Sequence, residues 1–245
     1  MKVKIDQSKF PLIAIMGPTA SGKTDLAVDL AQELDGEIIC ADSRTIYKDM
    51  NIGTAKPDSN EQKGVPHHML DLIKPGEKYT IFEFKKEVLK IISEIRKRGK
   101  IPFLVGGSGL YLYTVLFDYD FKNKTRRKEL IDNSIAVGIE VDKDVLLERI
   151  DKRFQKMLDQ GFIDETKGLI KKYGSDTLQL ERNLYGEAQK FINGDIDEKE
   201  LLERAKIIDW QLAKKQRTWF KQKQDKITWL PLNDIKKYIL DLLSE

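Results

Sequence analysis

Near the amino end, Gly17-Pro18-Thr19-Ala20-Ser21-Gly22-Lys23-Thr24 fits the pattern G-x-x-x-x-G-K-[ST]. Glycines at that spacing let backbone N–H groups curl around phosphate oxygens, and a helix that follows adds the positive end of its dipole. Lys23 would neutralise the terminal phosphate, and the Thr24 hydroxyl would ligate Mg²⁺. The pattern announces a phosphorylated ligand without naming it, because ATPases, GTPases, kinases and other transferases share it. A second reactive group, Asp42, follows the short apolar run Glu37–Ala41. In open parallel sheets ligands bind outside the carboxyl ends of strands, which puts Asp42 beside the phosphate loop. There it could bind Mg²⁺, accept a proton from a nucleophile, or cap the next turn. A later apolar run ends in Phe103-Leu104-Val105-Gly106-Gly107, with no acid of the kind that positions water in a hydrolysing motor. These residues point to a kinase-like group transferase.

The elements that would carry this chemistry alternate. Leu12–Met16 is a continuous apolar run, as expected of a strand buried on both faces. A helix near Asp25–Leu34 and the strand Glu37–Ala41 follow. Residues 51–80 show no clear period and read as irregular loop. Ile81–Arg98 reads as a helix with Phe84, Val88, Ile91, Ile92 and Ile95 on one stripe, stopped at Gly99. Then come a strand at Ile101–Val105, a short helix at Leu110–Leu116, a polar and basic stretch at Asp118–Ser134, and a strand at Ile135–Val141. Helices are expected over Lys143–Gln160, Phe162–Tyr173, Tyr185–Ile192 and Glu198–Lys221, then a strand at Ile227–Leu230 and a closing helix at Asp234–Leu243. The alternation predicts an α/β fold: a P-loop NTPase-like parallel sheet flanked by helices, with a helical C-terminal part. Residues 1–245 are expected to form one domain.

Composition excludes other classes. With 40% hydrophobic and 34% charged residues, the 245-residue chain can bury a full core and is neither disordered nor fibrous. A lone Cys40 cannot form an internal bridge, so the cytoplasm is the expected compartment. No apolar run approaches the ~18 residues of a membrane span, and MKVKIDQSKF does not read as a signal peptide. A net charge of +3 is too balanced to argue nucleic-acid binding without local clustering.

Several stretches resemble tRNA dimethylallyltransferases: GPTASGKT, then Ala41–Pro57 (ADSRTIYKDMNIGTAKP), Val65–Phe84, Ile101–Leu112 (IPFLVGGSGLYL), Leu146–Phe162 and Gln211–Phe220 (QLAKKQRTWF), in that order. The resemblance implies transfer of a dimethylallyl group from dimethylallyl diphosphate to the exocyclic amine of an adenosine beside the tRNA anticodon. It implies that Gly17–Thr24, with Mg²⁺ as cofactor, cradles a leaving diphosphate rather than a transferring phosphoryl group. Asp42 resembles the family's general base and adenine contact. Thr19 matches a position implicated in diphosphate binding, and Arg153 a family arginine near the pyrophosphate, where a guanidinium suits bidentate binding. Ser43, Arg44 and Thr45 match a stretch that touches the target base.

The target base must be flipped out to react, and RNA binding needs cations along its backbone. Lys206–Lys223 holds six Lys or Arg against one acid, Asp209, and resembles the family's tRNA-facing helix. Gln211, Lys214, Lys215, Arg217 and Lys221 are the contacts it implies. Solvated helix faces are the competing explanation for this cluster and for the further basic clusters Lys122–Lys128 and Lys85–Lys100. His67-His68 matches a family PHH motif and reads as structural, since adjacent histidines point to different sides. Family members carry a helical insert that grips the anticodon arm. Here only residues 118–134 fill its place, a short remnant containing Arg127. Asn183-Leu184-Tyr185-Gly186-Glu187 departs from a Gly-Tyr-Lys motif, with Tyr185 aligned to the tyrosine. The expected partners are tRNA and dimethylallyl diphosphate, the expected state a monomer away from membranes. Prenylation of free AMP, a P-loop nucleotide kinase, and an RNA-binding module without catalysis are the competing readings.

Overall fold

The computed structural model describes residues 10–222 and 226–244. The reading of the amino terminus, apart from Phe10, and Lys223 at the end of a basic cluster fall outside the described residues. Strand β1 (Leu12–Met16) is buried along its whole length, as a continuous apolar run requires in a sheet covered on both faces. It pairs with β4 (Ile101–Gly106) on one side and β5 (Ser134–Glu140) on the other. β2 (Gly36–Cys40) lies beyond β4, with β3 (His67–His68) at its edge, and β6 (Thr228–Pro231) closes the opposite side. The order is β3-β2-β4-β1-β5-β6, with every pairing parallel. The chain leaves β1 to one side through β2 and later to the other through β5. The carboxyl ends of β1, β2 and β4 therefore border the crevice where such sheets bind ligands.

Helices α1 (Lys23–Glu33), α3 (Ile81–Lys97) and α4 (Gly109–Leu116) cover the sheet. A capping box starts α3: Glu83 N donates to Thr80 Oγ1, and Thr80 N donates to Glu83 Oε2. Its buried stripe is the predicted one, Phe84, Val88, Ile91, Ile92 and Ile95. α5 (Lys143–Asp159), α6 (Phe162–Tyr173), α7 (Asn183–Asn193) and α8 (Glu198–Lys221) gather around a second core that includes Phe154, Met157, Phe162 and Leu184. α9 (Leu232–Ser244) returns to the sheet core through Ile235 and Ile239. Among the described residues no helix is long and apolar enough to cross a membrane.

The expected α/β architecture is present, with one more strand than the sequence reading found. Residues 51–80 are not wholly irregular. They hold the four-residue α2 (Ser59–Gln62), started by an Asp58 capping box, and β3. Two residues are too few to show a strand period, which is why β3 escaped. His68 secures the sheet edge, as its structural reading anticipated, whereas His67 lines the cleft beside the phosphate loop. His68 Nε2 lies 2.7 Å from Glu37 Oε2, and Arg98 donates to both oxygens of Glu37 at 3.0 and 2.7 Å. Burial pushes the Glu37 carboxyl up, but the bonds from Arg98 and His68 outweigh it and hold the group below its usual range.

Between α4 and β5 the chain forms a strap with no helix of its own. Lys85 pins it, donating to Tyr119 O at 2.9 Å and pairing with Asp118 at 2.6 Å. Arg126 lies over the rings of Tyr113 and Phe117, 4.9 and 5.5 Å from their centroids.

Candidate active site

The phosphate loop leaves β1 and turns into α1 through Gly22, whose φ of 89° strains any residue with a Cβ. At Gly106, where β4 passes β2, a Cβ would collide with the Ala41 backbone, so the strand ends carrying Asp42 and Ser108 approach closely. The loop is held from three helices. Lys23 Nζ donates to Pro18 O at 3.2 Å from α1. From α5, Arg149 Nη1 donates to Ser21 O at 3.2 Å, and Arg153 Nη1 donates to Thr19 Oγ1. From α8, Gln216 Oε1 accepts the Thr19 N–H at 2.8 Å.

Asp42 stands two residues past β2. Its Oδ1 accepts the Arg44 N–H at 2.9 Å, and its carbonyl accepts the Thr45 hydroxyl at 3.4 Å. The tight turn fixes the carboxylate at the cleft. Ser43 N donates to Ser108 Oγ at 3.1 Å and ties this turn to the start of α4. The cleft, about 520 Å³, is lined by Thr19 to Thr24, Asp42, Arg44, Thr45, Arg153 and Gln216 among others. Burial pushes the Lys23 ammonium down to about 8, with Asp42 opposing and Arg153 and Arg44 reinforcing the shift. Burial likewise lowers the Arg153 guanidinium. Lys23, Arg44 and Arg153 stand in this cleft beside the phosphate loop and suit a ligand with several negative charges.

The sequence-predicted residues divide into three groups. Gly17 and Pro18 shape the loop. Thr19 to Thr24, Asp42, Arg44, Thr45 and Arg153 share the cleft, with Ser43 tied beside it. Gln211, Lys214, Lys215 and Lys221 lie exposed on α8. Arg217 is half-buried there, and with Lys221 it borders a second cleft of about 340 Å³ that Pro18, Glu140, Asp142 and Trp229 also line. Arg127 is remote from the first cleft's lining and pairs with Asp132 at 2.8 Å. Tyr185, which the resemblance sets among the RNA contacts, lies inside the second core. It is 3% exposed, and its hydroxyl donates to Glu165 Oε1 at 2.7 Å. Glu165 also accepts the N–H groups of Asn51, Ile52 and Gly53, so Tyr185 braces a loop from inside the second core.

Arg149 and Gln216 were missed. Arg149 precedes Arg153 by one helical turn, a spacing that puts both on one face. Gln216 continues the inward stripe of Asp209 and Ala213, three residues after Ala213.

A family model described as IPP transferase matches residues 45–134 and 121–223. A tRNA dimethylallyltransferase of Bacillus subtilis is 31% identical over 292 aligned positions, covering 93% of each chain. The chain belongs to the IPP transferase family. Solved structures of two IPP transferases share its fold. One, a tRNA isopentenylpyrophosphate transferase from Bacillus halodurans, superposes with a TM-score of 0.84 at 28% identity, covering 96% of this chain and 97% of that one. The other, a tRNA delta(2)-isopentenylpyrophosphate transferase from Staphylococcus epidermidis, gives 0.85 at 29% identity, covering 95% and 98%. The family match breaks into two segments that overlap at residues 121–134, in the strap and the first residue of β5.

Proposed function

We propose that this chain transfers a dimethylallyl group from dimethylallyl diphosphate to the exocyclic amine of an adenosine next to the tRNA anticodon. The observation that carries the reading is the convergence of Lys23, Arg153 and Asp42 on one cleft in a chain of this family. Ionisation of an allylic diphosphate leaves negative charge on the departing diphosphate. Lys23 and Arg153 line the cleft beside the phosphate loop, and as cations they offset the charge that develops on a diphosphate held there. The carbon–oxygen bond breaks, diphosphate keeps the electron pair, and the adenine nitrogen bonds the allylic carbon. The amine proton passes to Asp42, whose carboxylate is held at the cleft by its bond from Arg44 N.

Mg²⁺ is part of the proposal. Among the described residues no three His, Cys, Asp or Glu side chains cluster as a protein-made metal site. A hydroxyl such as Thr24, which lines the cleft, together with substrate oxygens fits Mg²⁺, which often binds mainly through phosphates and water. When bound, it supplies further neutralisation of the leaving group.

The strap is read as the shortened remnant of the family's helical insert. The two-segment match and a 292-position alignment against a 245-residue chain support this. The exposed cations of α8 are assigned to the RNA. A monomer acting in the cytoplasm completes the proposal. The test is incubation with dimethylallyl diphosphate, Mg²⁺ and either tRNA or AMP, read by mass spectrometry. A five-carbon gain on tRNA is expected. A gain on AMP alone reassigns the acceptor, and no gain on either overturns the reading.

A further inference from the structure

Asp209 is 1% exposed, and neither carboxylate oxygen has a hydrogen-bond partner among the described residues. Buried polar groups are almost always bonded, so this one demands a reason. On α8 it belongs to the inward stripe of Leu201, Ala205, Ala213 and Phe220, the side from which Gln216 reaches Thr19. α5 packs against the same side. Asp151 pairs with Lys206 at 2.7 Å, and Arg153, two residues on, donates to Thr19. Arg153 therefore lies between Asp151, which meets Lys206, and Thr19, which meets Gln216, and the one carboxylate of α8 from residue 206 to residue 216 is Asp209.

Arg153 is half-buried, and its Nε is buried with no partner among the described residues. Burial disfavours its charge, and of the surrounding groups Asp209 counters this most, ahead of Asp42 and Glu61, while Arg44 adds to it. Glu61 is engaged by Lys156 at 3.1 Å. Asp42 faces the cleft, where the amine proton must go. A buried cation with no counter-charge behind it would turn its fork toward whichever carboxylate it could reach.

We propose that Asp209 is a positioning residue: the counter-charge behind Arg153, acting directly or through one buried water, that aims the guanidinium at a diphosphate held by the phosphate loop. Nε of Arg153 and the two oxygens of Asp209 offer three polar atoms, enough for one ordered water. The proposal rests on the functional reading only in needing a diphosphate at that loop. It leaves the acceptor site alone.

Inorganic pyrophosphate, titrated calorimetrically against the full chain, is the probe. Asp209→Asn is expected to weaken pyrophosphate about tenfold and to lower kcat/KM for the allylic diphosphate by a similar factor, leaving KM for the acceptor unmoved. If Asp209→Asn does not fold, Asp209→Ser is measured in its place. Arg153→Gln completes a double-mutant cycle. If Asp209 acts through Arg153, the double variant loses little beyond Arg153→Gln alone. A residue that merely fills the core would lower the melting temperature and disturb both substrates alike. Wild-type pyrophosphate affinity in the Asp209 variant, tighter binding, or additive losses in the cycle each overturn the role of Asp209. A wild-type chain that does not bind pyrophosphate overturns the diphosphate site itself.

Discussion

Gln216 Oε1 accepts the backbone N–H of Thr19 at 2.8 Å, joining α8 to the phosphate loop across 197 residues of sequence. The helix that presents Lys214, Lys215 and Lys221 outward is thereby bonded inward to the loop assigned to the diphosphate. Thr19 also receives Arg153 at its hydroxyl. One loop residue thus joins α5 and α8, and the arms of the site are fixed relative to one another before any ligand arrives.

Removing that tie should loosen the loop without removing a charge. Gln216→Ala is expected to lower kcat/KM for the allylic diphosphate by about tenfold, the scale of one lost hydrogen bond to a preorganised loop. Gln216→Glu keeps an acceptor for the Thr19 N–H and should retain more activity. Steady-state kinetics of both variants decide it. Equal losses would detach the effect from the acceptor oxygen.

Lys23 gives a pH dependence with a definite sign. Its folded value near 8 lies below the ordinary 10.5, so between the two the unfolded chain holds a proton that the folded chain lacks. The unliganded protein should gain stability as pH rises across that window, and lose this contribution as pH falls through about 8. Diphosphate acts in the opposite sense, because an anion favours the protonated ammonium. Pyrophosphate binding should take up a proton above about pH 8 and weaken as pH rises further. Calorimetry in buffers of different ionisation enthalpy reads the proton directly. Lys23→Ala should abolish both the uptake and transfer, and uptake persisting in that variant would move the titration to another group.

The fold and the heart of the site were legible because each rests on short local patterns. A continuous apolar run marked β1, largely apolar runs marked β2, β4 and β5, and the glycine-lysine spacing marked the loop. The place of Asp42 at the cleft followed from its strand position, and the role of base from the resemblance. What stayed hidden was carried by tertiary contact. Gln216 is a neutral amide in a basic segment, and only its place on an inward stripe distinguishes it. Tyr185 was read by alignment to a motif, but its hydroxyl is taken by Glu165 and its ring by the second core. Asp209 counted as one acid among cations until burial set it apart.

The role of Tyr185 can be checked. Tyr185→Phe removes the hydroxyl bonded to Glu165 and should cost about 1 kcal/mol of stability in denaturant unfolding. RNA affinity should not change, since the ring is buried. A variant of unaltered stability with weakened RNA binding would restore Tyr185 to the interface.

Asp42→Asn keeps the shape of the turn and removes the base. Turnover should fall by about 10²- to 10⁴-fold, the usual range for a general base, with pyrophosphate and RNA still bound. Loss of pyrophosphate binding together with turnover would instead place Asp42 in the diphosphate site.

The exposed cations of α8 differ in what already holds them. Lys206 is drawn to Asp151 at 2.7 Å, whereas Lys214, Lys215 and Lys221 stand exposed with no ion pair among the described residues. A lysine that neutralises a phosphate releases a counterion, so each one lost should flatten the slope of log affinity against log salt by about 0.7 to 0.9. Lys215→Ala and Lys221→Ala should each flatten it by about that amount for tRNA, while Lys206→Ala should leave it nearly unchanged. Fluorescence anisotropy of labelled tRNA over a salt series provides the slopes. If Lys206→Ala flattened the slope as much as the other two, the RNA would have to run along the α5 side of the helix, and the assignment of the outward face would be lost.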